Sequence, residues 1–109
     1  MNDLTQRRCV PCEGGVPALS ADAAQTLLKQ LKGWTIDNGH LCKTFSFNNY
    51  HETMAFVNAT AWVSHQEDHH PDLAVSYKAC SISYITHAIG GLSDNDFICA
   101  AKIDALFSL

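Results

Sequence analysis

Apolar residues along this chain change their period several times, and each change marks an element. Ala24, Leu27, Leu28 and Leu31 recur at i, i+3, i+4 and i+7, the stripe of an amphipathic helix. Ser20 ahead of them has a hydroxyl that can accept from the first free amides, Lys32 suits the negative end of the helix dipole, and Gly33 can stop the helix at positive φ. The spacing therefore predicts a first helix from Ala21 to Lys32. Trp34 and Ile36 then alternate with polar neighbours, as do Leu41, Phe45 and Phe47. Asn38-Gly39 between them tolerates positive φ at both centres of a tight turn, so the pair of runs reads as a β-hairpin.

From Asn49 to about Gln66 helical spacing returns, with Met54, Val57 and Ala61 on one stripe and Ala55, Ala59 and Trp62 beside it. A broad-faced, well-buried helix is expected. Pro71 disfavours helical geometry at His70, so the chain must be extended by that point. Leu73, Val75 and Tyr77, then Cys80, Ile82 and Tyr84, alternate with mostly polar residues and predict two more hairpin-linked strands. Gly90-Gly91 breaks the last strand. Ser93 with Asp96 three residues on resembles a capping box, and Ile98, Ala101 and Ala105 give a third helix its apolar stripe. Strands with one apolar and one mainly polar side suit an antiparallel sheet covered on a single face. The expected fold is α+β: an αββαββα two-layer sandwich, with three helices on one face of a four-stranded antiparallel sheet.

Residues 1–19 carry Pro11, Gly14, Gly15 and Pro17 without periodicity and read as an irregular arm, leaving 20–109 as one domain. With 109 residues, 47% apolar and 17% charged, there is room for one core. The net charge of -4 and the lack of a basic run argue against nucleic acid. No segment reaches the ~20 apolar residues of a membrane span, and the polar start has no signal-peptide core. A cytoplasmic location is expected, with the five cysteines as reduced thiols.

Four of the six histidines fall in or beside Ser64-His-Gln-Glu-Asp-His-His-Pro71 and Tyr84-Ile-Thr-His87. A histidine taken singly is most often structural or solvated. The ordered string His69-His70-Pro71, Tyr77, Thr86-His87, Gly91-Leu92-Ser93 and Asp96-Phe97, however, resembles the pterin-4a-carbinolamine dehydratase family. The resemblance runs from the first helix to Asp104, about four-fifths of the chain, and includes the αββαββα order. Leu4-Thr-Gln6 and Cys9-Val-Pro-Cys12 also resemble an arm carried by some bacterial members.

That resemblance implies His69, His70 and His87 as catalytic residues, with Glu67, Asp68 and Thr86 as further substrate-binding candidates, no metal, and no cofactor besides the pterin, which is the substrate. The position four before His69, often acidic in the family, is His65 here, which puts a carboxylate role at that place in doubt. The implied reaction is loss of water from 4a-hydroxytetrahydropterin to give quinonoid dihydropterin, recycling the cofactor of aromatic amino acid hydroxylases. An acid must protonate the departing 4a-oxygen while a base takes the N5 proton, work that imidazole suits near pH 7. His69 and His87 are expected to share it, with His70 orienting the pterin or serving the other stereoisomer. Asp96 has two readings, a helix N-terminal cap or a direct ligand contact, of which the Ser93-x-x-Asp96 setting favours the cap, and Trp62 and Tyr77 read as core aromatics rather than as stacking partners for a pterin. The family resemblance also implies a homodimer or homotetramer. Cys9 and Cys12 keep a different class open: half of a zinc site, a redox pair, or a protein-interaction module.

Overall fold

The computed structural model describes residues 4–11 and 17–107. Three α-helices, α1 (Ala21–Leu28), α2 (Tyr50–Glu67) and α3 (Asp94–Phe107), accompany four strands, β1 (Thr35–Asp37), β2 (His40–Ser46), β3 (Asp72–Val75) and β4 (Ala79–Tyr84). The sheet is antiparallel throughout in the order β1-β2-β4-β3. This is the expected α+β arrangement. Short 3₁₀ turns add to it at Leu4–Gln6 and His87–Ile89.

Local chemistry sets most of the boundaries. Ser20 caps α1 by accepting from the Ala23 amide at 3.1 Å. Asn38 and Gly39 both take positive φ, 52° and 79°, and close the β1–β2 hairpin. Asn49 caps α2 by accepting from the Glu52 amide at 2.8 Å. The first helix is shorter than its apolar spacing suggests, ending at Leu28 rather than Lys32. Beyond Leu28 the chain tightens: Gln30 and Leu31 donate to Leu27 and Leu28, three residues back. The Lys32 carbonyl instead accepts from the Lys43 ammonium at 2.9 Å, and Gly33 at φ 81° turns the chain toward Trp34.

The core lies between the sheet and the helices. Leu41 and Phe45 of β2 and Cys80, Ile82 and Tyr84 of β4 are buried against Phe97, Ile98 and Ile103 of α3 and Phe56 of α2. Phe45 and Phe56 rings meet at 4.7 Å between centroids. Each such aromatic contributes roughly 1.5–3 kcal/mol by leaving water. Trp34 is buried too, and its indole N–H donates to Asp104 at 3.0 Å.

Helix α2 buries a different face from the one its apolar residues indicate. The inward line is Thr53, Phe56, Thr60, Val63, Ser64 and Glu67, whereas Ala61 and Trp62 face solvent. The inward hydroxyls are satisfied by nearby carbonyls: Thr53 donates to Asn49, Thr60 to Val57 and Ser64 to Thr60. Two further expectations fail for the same reason, that exposed apolar residues mimic a buried stripe. Ala105 on α3 is exposed, and Tyr77 lies in the β3–β4 turn, exposed and stacked on Tyr50 at 6.2 Å. Strand β3 is an edge strand with all four residues exposed.

Gly91 shows how tightly the chain closes near β4. It exchanges backbone hydrogen bonds with Thr86, and a Cβ at this position would stand 2.6 Å from the Ala18 Cβ. Gly91→Ala is expected to cost about 1–3 kcal/mol. Ala18→Gly in the same chain should recover part of it, as urea unfolding of the single and double variants will show.

Candidate functional site

Two chain segments meet because the sheet register makes them meet. Asp72 pairs with Ser83, so the residues just before β3 lie beside those just after β4. Helix α2 is stopped by Asp68 in the left-handed conformation (φ 51°), with the Asp68 and His69 amides donating to the His65 and Ser64 carbonyls. The chain then passes through His69, His70 and Pro71 without regular structure before β3 begins at Asp72. On the other side, β4 leads through Ile85 and Thr86 into the 3₁₀ turn that begins at His87.

His69 is held on two sides. Its ring stacks on Tyr84, 5.8 Å between centroids and 7° from parallel, and its Nε2 is 2.6 Å from Asp96 Oδ1. Asp96 is fully buried. Its Oδ2 accepts from the Thr86 hydroxyl at 2.8 Å and from the Ser93 amide at 2.9 Å. Thr86 has one proton and gives it to Asp96, so the Ser93 hydroxyl, 2.8 Å away, donates to Thr86. With Asp96 ionised, its Oδ1 can only accept, which puts the shared proton on Nε2 of His69 and, in the neutral ring, the lone pair on Nδ1. The buried Tyr84 hydroxyl has no hydrogen-bond partner among the described residues. Its pKa is pushed well up, first by burial and then by Cys99, Cys9 and Asp96.

His69 opens onto a cleft of about 560 Å³, lined also by His70 and His87. This is ample for a bicyclic ligand. The candidates Glu67, Asp68 and Thr86 line it as well. His65 is exposed on the last turn of α2 and does not reach the lining. Of the cap and the ligand-contact readings, Asp96 fulfils the cap, since it returns to the Ser93 amide, but it also anchors His69. Ser93-x-x-Asp96 spacing carried the first role, and no local pattern carried the second.

The N-terminal arm supplies another wall, through Cys9, Val10 and Pro11. Val10 exchanges two hydrogen bonds with the Asn95 carboxamide, at 3.1 and 2.6 Å, and Arg7 pairs with Asp94 at 2.8 Å. The Cys9 amide donates to Glu67 Oε1 at 2.8 Å, while Lys102 and Arg8 approach Oε2 at 3.0 and 3.2 Å. The Glu67 carboxylate is thus occupied in fastening the arm. Burial raises its pKa, but the Cys9 amide, Lys102 and Arg8 together outweigh burial and leave it below the usual glutamate range. Cys12, the other half of the Cys-x-x-Cys, lies outside the described residues. Among the described residues no three His, Cys, Asp or Glu side chains converge as metal ligands would, and no helix is long and apolar enough to cross a membrane.

Residues 17–106 match the sequence model of the family described as pterin 4 alpha carbinolamine dehydratase. A relative from Nitrosomonas europaea is 64% identical over 106 residues, covering 96% of this chain and 94% of its own. One from Nitrosospira multiformis is 57% identical over 109 residues, covering 100% and 96%. Both are provisionally named pterin-4-alpha-carbinolamine dehydratase. Among solved structures, a transcriptional coactivator/pterin dehydratase from Brucella melitensis superposes with a TM-score of 0.79 at 23% identity, over 82% of this chain and 97% of that one. That likeness is one of fold.

The anchoring of the arm is open to a direct test. Glu67→Gln is expected to lower stability by about 1–3 kcal/mol at pH 7 by loosening the buried contacts. Because the folded-state pKa of Glu67 is depressed, its contribution is present above about pH 4.5 and lost as the pH falls below it. The gap between wild-type and variant unfolding midpoints should therefore narrow from pH 6 to pH 3.

Proposed function

Because the chain belongs to the pterin 4 alpha carbinolamine dehydratase family, we propose that it dehydrates a 4a-hydroxytetrahydropterin to quinonoid dihydropterin and water by histidine acid–base catalysis. The observation that carries this is the His69–Asp96 pair, 2.6 Å apart, opening onto a cleft that His70 and His87 share. Neutral His69, with its Nε2 proton held by Asp96, has the Nδ1 lone pair to take the proton from pterin N5. The imidazolium so formed is stabilised by the Asp96 charge. His87, which is exposed, protonates the departing 4a-hydroxyl and can be re-protonated from solvent. His70 orients the ring system. The proton taken from N5 balances the one given to the hydroxyl, so the pterin is substrate and no cofactor enters the step. Such a reaction recycles the pterin used by aromatic amino acid hydroxylases.

The proposal extends to a cytoplasmic homodimer or homotetramer. Supporting the assembly is β3, which has one backbone edge unpaired among the described residues and leaves Leu73 and Val75 38% and 42% exposed.

Stopped-flow decay of 4a-hydroxytetrahydropterin tests the catalytic assignment. Each of His69→Ala and His87→Ala should lower kcat by ~10²–10⁴-fold and the double variant by more, while unaltered decay with the folded double variant would refute the roles. Asp96→Asn should reduce kcat by about tenfold to a hundredfold with KM little changed, the mark of a positioning residue. Light scattering should return a multiple of 11.9 kDa, and Val75→Lys should shift the distribution toward smaller species.

A further inference from the structure

Two sulfurs meet where the proposed catalysis does not use them. Cys9 Sγ lies 3.5 Å from Cys99 Sγ, although the residues are 90 positions apart. Cys99 is fully buried on α3, while Cys9 is half-buried at the rim of the cleft. The approach is enforced by the surroundings. Asn95, one turn before Cys99 on the same face of α3, holds Val10 by two hydrogen bonds, and Glu67 on α2 holds the Cys9 amide. The arm therefore presents Cys9 to Cys99 at a fixed height. From 3.5 Å the sulfurs need to close by only about 1.5 Å to reach disulfide length. The pair also adjoins the ring on which His69 stacks, since both sulfurs oppose ionisation of the Tyr84 hydroxyl.

We propose that Cys9 and Cys99 are a reversible redox couple whose disulfide fastens the N-terminal arm to α3 as a fixed wall of the cleft. The oxidant is a small-molecule disulfide of the glutathione class. The accessible Cys9 thiolate attacks one of its sulfurs, forming a mixed disulfide and expelling one thiolate. The Cys99 sulfur then attacks the Cys9 sulfur and releases the second. Two protein thiols lose two electrons and two protons, and the small disulfide becomes two thiols. The order of attack follows from the geometry: Cys99 is out of reach of solvent, and its contact with Cys9, followed by burial, pushes its pKa up and keeps it a thiol until Cys9 is modified. The bond itself does not depend on the dehydratase reading, and its test uses no catalytic assay.

The 109-residue chain, with five cysteines, is incubated folded with oxidised glutathione, and free thiols are counted by alkylation and intact mass. Two of the five thiols should disappear, with no glutathione retained and full recovery on reduction. Trypsin digestion should yield peptide 9–29 joined to peptide 79–102, with fragmentation locating the bond at Cys9 and Cys99 rather than Cys80. Cys12→Ser should behave as wild type, whereas Cys9→Ser should keep its four thiols and show no such cross-link. Cleavage after Arg8 should be slower in the oxidised protein than in the reduced one. A bond mapped between Cys9 and Cys12, a stable mixed disulfide at Cys9, five thiols surviving oxidation, or unchanged cleavage after Arg8 would each overturn the proposal.

Discussion

A carboxylate with no access to water organises this molecule. Burying an ionised Asp costs several kcal/mol unless its lone pairs are filled, and Asp96 fills them from three places: the His69 ring, the Thr86 hydroxyl and the Ser93 amide. Each donor comes from a different local structure, namely the segment between α2 and β3, the stretch just after β4 and the start of α3. The carboxylate therefore ties the strand end to the helix start and sets the angle of the His69 ring in the same act. Its place in the first turn of α3, where backbone amides point outward, further favours negative charge. A site positioned this way inherits the rigidity of the fold.

Most of the backbone was legible because single side chains settle local questions. Ser20, Asn38-Gly39 and Pro71 each act on neighbours a few residues away, and the structure follows them. The inward face of α2 was not legible. Thr53, Thr60 and Ser64 count as polar in any apolar pattern, yet their hydroxyls donate to carbonyls at i−3 or i−4 and so enter the core without an unsatisfied group. The exposed Trp62 drew the predicted stripe to the wrong side. A helix that solves its polar burial internally conceals its orientation.

The candidate site divides along the same line. His69, His70 and His87 could be picked out as an ordered string, and they do line one cleft. The partnership of His69 with Asp96 spans 27 residues and exists only because the β3–β4 register lays the His69 segment against the end of β4. Spacing within a helix start reveals a cap, but it cannot reveal a partner brought in by strand pairing. Glu67 shows the converse. Its position suggested ligand binding, while its hydrogen bonds give it to the arm.

That assignment changes how the arm is understood. Residues ahead of 17 lie outside the region that matches the family, yet Cys9, Val10 and Pro11 form part of the cleft wall. Polar contacts hold them there: Glu67, Asn95 and Asp94 together secure Cys9, Val10 and Arg7. Glu67 belongs to the last turn of α2 and Asn95 adjoins Asp96, so the same two elements that aim His69 also seat the arm. Any displacement of α3 relative to α2 would disturb the histidine and the wall together. The shape of the cleft and the orientation of its most constrained histidine are consequently not independent variables. Both are set by how the start of α3 docks against the end of α2.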